Sequence, residues 1–107
     1  MDAPQNDNPD AELIARVDLY LTELEKDARL MSAAGDIILG SPGYAGAERA
    51  ITENWERVTR LQDWITAYRA HGPAGWRAKA QAIRASYDHI DAWNEAIVMS
   101  LVDDLLR

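Results

Sequence analysis

The sequence predicts an all-α protein: a three-helix up-down-up bundle whose long C-terminal helix joins it to a second copy. Three observations carry that prediction. Apolar residues recur at steps of three and four along most of the chain, the spacing of helices buried on one face. Two stops, Gly40-Ser41-Pro42-Gly43 and His71-Gly72-Pro73, divide the pattern into three. The last segment carries a heptad-like seam of Trp76, Ala80, Ile83, Tyr87, Ile90, Asn94, Ile97 and Leu101, closed by Leu105.

The elements follow in order. Residues 1–8 are polar and read as a flexible tail, leaving residues 9–107 as a single helical domain. Asn8-Pro9 supplies an N-cap and a first-turn proline, with Asp10 and Glu12 at the positive end of the helix dipole. A first helix is expected from Pro9 to about Leu39, on the stripe Leu13, Val17, Tyr20, Leu24, Ala28 and Met31. Gly35 lies inside it, where a glycine costs ~1 kcal/mol and ends or kinks the helix.

The second helix opens between Tyr44 and Ala47 and ends at Ala70-His71-Gly72, with the stripe Ile51, Trp55, Val58, Leu61, Ile65 and Tyr68. Trp64 points nearly opposite Trp55, so the apolar arc spans about half the helix, more than the ~100° that one buried face needs. Part of that arc is expected to form an oligomer surface.

A third helix from Pro73 to Leu106 would be about 50 Å long at ~1.5 Å per residue. A compact domain of this size has twice a radius of gyration of only ~13 Å. The seam should therefore outrun its own chain, with Ile83, Tyr87, Ile90, Asn94, Ile97 and Leu101 meeting a second copy in a homodimer. The charges agree. Arg77, Lys79 and Arg84 sit near the start and Glu95, Asp103 and Asp104 near the end, against the helix dipole, which an antiparallel partner would turn to advantage.

Composition limits the function classes. The chain has 107 residues, no cysteine and a net charge of -7, with nine acids against three bases in residues 1–40. Disulfides, thiolate metal sites and cysteine nucleophiles are therefore out. An acidic surface repels phosphate backbones, so direct nucleic-acid binding is disfavoured and a basic partner protein is the complementary choice. No apolar run approaches the ~18 residues of a membrane span and no leader pattern opens the chain, so a cytoplasmic protein is expected.

Catalytic constellations are thin. No Glu-x-x-His pair, glycine-rich phosphate loop, nucleophile elbow or triad is present. Asp88, His89 and Asp91 are too close along one helix to converge on a metal, so neither a metal nor a cofactor is expected. Arg84 and His89, in an Arg-x4-His spacing, resemble the catalytic pair of the helical-bundle ribonucleases called HEPN domains, although Ala85 stands where that family has a polar residue. The resemblance implies an arginine holding a phosphate and a histidine moving a proton. The alternative pairs Arg84 with Asp88 on a solvated face. Glu53/Arg57 and Glu56/Arg60 read as surface pairs of the same kind.

Pro9-Asp10-Ala11-Glu12-Leu13, Pro73-Ala74-Gly75-Trp76-Arg77-Ala78-Lys79-Ala80 and Ser100-Leu101-Val102-Asp103-Asp104-Leu105-Leu106 together resemble a group of small uncharacterised helical proteins of alphaproteobacteria and their prophages. That group usually has leucine at the position of Trp76. The resemblance implies an all-helical fold and a mobile-element setting, and brings no activity with it.

The sequence thus points to a non-enzymatic, acidic helical module that binds or masks a partner protein. Trp64 and Trp93, off the main stripes, are the candidate anchors, and Glu23, Glu25 and Asp27 the acidic contacts. The alternatives are a HEPN-like ribonuclease using Arg84 and His89, or a structural or assembly protein.

Overall fold

The computed structural model describes residues 8–37, 40–90 and 95–107, and among these every regular element is helical. The helices are α1 (Ala11–Ala34), α2 (Tyr44–Ala67), α3 (Pro73–Ile90) and α4 (Glu95–Leu105).

Helix α1 buries Leu13, Val17, Tyr20 and Leu24, the stripe its spacing predicts. It stops at Ala34, short of Leu39, because Gly35 is a poor helix residue. The turn that follows uses Gly40 in the left-handed region at φ 87°, a conformation a side chain would strain. Helix α2 buries Val58, Leu61 and Ile65. Trp55, expected in that stripe, is instead 42% exposed, and its neighbour Asn54 takes the inward place. Asn54 is satisfied there by donating to the Glu23 carbonyl at 3.1 Å.

The expected third helix is two helices. Lys79 Nζ lies 2.6 Å from Asp104 Oδ2. In an unbroken helix residues that far apart in sequence would be separated by ~37 Å. Helix α4 therefore runs back along α3, and the rod that would outreach its own chain does not exist. The charge pattern that suggested an antiparallel copy is resolved within the chain, basic start of α3 against acidic end of α4.

Cross-helix bonds give the topology. Helix α2 runs antiparallel to α1, since Asn54 meets Glu23, Gln62 meets Tyr20 and Tyr68 meets Pro9. Helix α3 runs alongside α1 in the same direction, since His71 meets Asp10 and Ser86 meets Tyr20. Helix α4 parallels α2, since Ser100 meets Thr66 and Asp104 meets Ala70. The result is an up-down-up-down ring in the order α1, α2, α4, α3, with each helix packed mainly on two neighbours.

The inner face of α3 corrects the seam. Its buried residues include Gly75, Ala78, Lys79, Ala82 and Ser86, whereas Tyr87 is 58% exposed and Ile83 half-buried at the edge. Small side chains let α3 approach α1 closely, and the two polar ones are hydrogen-bonded, so the face turned inward is not the greasiest one. Ile97 lies in the core of its own chain, not on a dimer seam. Asn94 and the side chain of Ile90 lie outside the described residues.

Candidate protein-binding groove

Most buried polar side chains are engaged in joining helices. Asp10 accepts from the His71 and Gly72 backbone N–H groups at 3.0 Å, and its Oδ1 lies 3.0 Å from His71 Nδ1. It thereby supplies the acceptor that the start of α3 lacks. Gly75 makes room, since a methyl group there would collide with the Asp10 carboxylate. Lys79 and Asp104, 0% and 2% exposed, form a charge-assisted pair. Lys79 also donates to Ser100 Oγ at 2.6 Å, and Asp104 accepts from the Ala70 N–H at 3.2 Å.

On the α1 side, Ser86 donates to the Ala82 carbonyl, so Tyr20 donates to Ser86 Oγ at 2.5 Å and accepts from Gln62. Burial pushes the Tyr20 hydroxyl pKa up, and the bonds to Ser86 and Gln62 partly offset this. Burial also pushes the Asp27 carboxyl up, with its hydrogen bond to Asn54 opposing. No group of three His, Asp or Glu side chains among the described residues is placed to hold a metal. No described helix is long and apolar enough to cross a membrane.

One open feature is on the opposite face of the α1–α2 pair. A groove of about 370 Å³ runs between the two helices, lined by Arg16, Leu19 and Glu23 from α1 and Arg57, Arg60, Leu61 and Trp64 from α2. The lining residues run from Arg16 to Glu23 on α1 and from Arg57 to Trp64 on α2 at helical spacing, a strip about two turns long. Leu19 (48% exposed), Leu61 and Trp64 make the floor. Trp64 is held in place by Tyr68, stacked at 5.1 Å, and by the Arg16 guanidinium 4.6 Å from its ring centre.

Charges ring this floor. Arg57 is tied to Glu23 at 3.1 Å and to Asn54 at 3.3 Å, and Arg16 to Glu12 at 3.3 Å. Arg60 has no ion pair among the described residues. Three arginines against one glutamate make the lining locally positive on a chain of net charge -7.

The structure distributes the sequence candidates unevenly. Trp64 lies in the groove, while Trp93 lies outside the described residues. Glu23, Glu25 and Asp27 do not form one acidic face. Alternate helical positions point apart, so Glu25 faces solvent while Glu23 pairs with Arg57 and Asp27 is buried against α2. Arg57 reaches across to α1 rather than to Glu53 on its own helix. Arg84 is exposed and holds Asp88 at 3.1 Å, the helical pair that its spacing allows, and the side chain of His89 lies outside the described residues.

Ile83, Tyr87 and Leu101 of the expected seam line a second open groove between α3 and α4, with Ala80, Val98 and the mutually paired Arg84 and Asp88. The residues that sequence reasoning missed are Arg16, Leu19, Arg57, Arg60 and Leu61. Their signal was present as a leucine off the α1 stripe and the excess width of the α2 arc. No protein-family model, no curated protein and no solved structure matches this chain.

Proposed function

We propose that this chain is a non-enzymatic helical protein-interaction module and that the α1–α2 groove is the surface it offers. One observation carries the reading: Leu19 and a pre-positioned Trp64 stay accessible beside the buried Leu61 in an open groove, although the other face of the same helix pair is sealed. Tryptophan and arginine around a desolvated patch is the composition of interaction hot spots, and a held ring loses little freedom on binding. Arginine is likewise suited to rimming an interface, because its stem packs while its head stays hydrated.

Within this proposal the module acts in the cytoplasm by covering part of a partner's surface, without a cofactor. Self-association is a second use of the fold, favoured by Ile83, Tyr87 and Leu101 facing the α3–α4 groove. The test is photo-crosslinking in cells that express the chain, comparing Leu19→p-benzoylphenylalanine with the same change at Thr52, exposed on α2 away from the groove. The expected result is an adduct from position 19 that Trp64→Ala abolishes. Equal adducts from both positions, or none from position 19, would contradict the proposal.

A further inference from the structure

Resting on that reading of the groove, we infer the chemistry of its occupant: an acidic amphipathic helix of a partner protein. Shape points to a helix. The walls are two antiparallel helices presenting side chains at helical spacing, and the trough between such a pair is where a further bundle helix packs. A small ligand would have most of its surface enclosed, whereas this groove is open along its length. A docked helix with apolar residues at i and i+3 or i+4 would match the floor of Leu19, Leu61 and Trp64, which is about one turn long, and its flanking positions would meet the arginines.

Charge selects the sign. Arg60 lacks an ion pair among the described residues, and Arg16 and Arg57 flank the same floor. The one acid in the lining, Glu23, is already bonded to Arg57. A basic helix would face three arginines with no free carboxylate in the lining to receive it. An acidic helix brings carboxylates to Arg60 and can share Arg16 and Arg57 in bidentate contacts. The chain's net charge of -7 would repel that partner at long range, so the selection is local.

The test uses synthetic helices and the full chain. One probe is a capped, alanine-rich helix of about five turns, with leucines at i and i+4 and flanking glutamates. Its twin carries lysine at every glutamate position. Binding is followed by calorimetry and by the indole N–H resonance of Trp64, assigned through Trp64→Phe.

The expected result is saturable binding of the glutamate helix that moves the Trp64 resonance and weakens with salt. Binding should fall at least about tenfold in Arg60→Glu and in Leu19→Glu. Both positions are exposed, so thermal melts should show these variants still folded. Equal or tighter binding of the lysine helix would overturn the acidic assignment and leave the groove as the contact surface. Failure of both helices, with crosslinks from position 19 intact, would overturn the helical occupant alone. Failure of both together with loss of those crosslinks would remove the groove reading as well. Sedimentation showing a dimer that Leu19→Glu dissociates would make a second copy the occupant and overturn the inference.

Discussion

The two faces of the α1–α2 pair differ in how they use polar side chains. On the inner face, polar groups join helices: Tyr20 to Ser86 and Asp10 to the start of α3, with Lys79 and Asp104 closing the far wall. On the outer face Arg57 also joins the two helices through Glu23, but Leu19 and Arg60 are exposed and Arg60 has no ion pair among the described residues. The difference separates stability from recognition. Inner-face changes should cost folding free energy, and outer-face changes should leave it almost untouched.

The largest effect is expected at the buried ion pair. Lys79→Ala strands the Asp104 carboxylate and should cost about 3–5 kcal/mol in urea unfolding. The double variant Lys79→Met/Asp104→Leu should recover most of that loss, because removing both charges removes the desolvation penalty with them. A loss below about 1 kcal/mol in the single variant would contradict the inner-face account.

Next comes the Asp10 cap. Gly75→Ala forces the carboxylate off the His71 and Gly72 N–H groups, and Asp10→Ala removes it, each costing about 1–3 kcal/mol. The two changes act on one interaction. A double-mutant cycle should therefore give a sum well below the two single losses.

A smaller effect, with a defined sign, is expected at Asp27. Its folded carboxyl lies above the ordinary 3.8, so the folded chain binds more protons than the unfolded chain between those values. Stability contributed by this group is then highest in acid and falls as pH rises through that window. Asp27→Asn should melt no lower than the parent near neutrality, and any advantage should shrink below the ordinary carboxyl value. An advantage that grows in acid would reverse the sign.

The smallest effects on folding belong to the outer face. Leu19→Ala and Arg60→Ala should each change stability by no more than about 0.5 kcal/mol. A larger loss at Arg60 would mean that its side chain serves the fold, which would blur the contrast between the faces.

Much of the fold was legible from side-chain periodicity. Leu13, Val17, Tyr20, Leu24, Val58, Leu61 and Ile65 are buried where the spacing places them, because those helices bury ordinary apolar stripes. Helix α3 was not legible in that way. Its inward residues are alanines with Lys79 and Ser86, and a hydrophobic pattern cannot register polar groups whose partners come from other helices. The reversal between α3 and α4 was hidden too, since the apolar period continues in phase from Ile83 to Leu101. The groove was half legible. Trp64 stood out as off-stripe, but the arginines around it resembled ordinary surface pairs until Arg57 was seen to reach Glu23 across the helix boundary.

The most direct test of the outer face as a recognition surface follows the four indole N–H resonances while the glutamate helix is added. Trp64 should shift and saturate, while Trp55, exposed on the same helix but outside the groove lining, stays in place. An unmoved Trp64, or equal movement of both, would contradict the assignment of recognition to the groove.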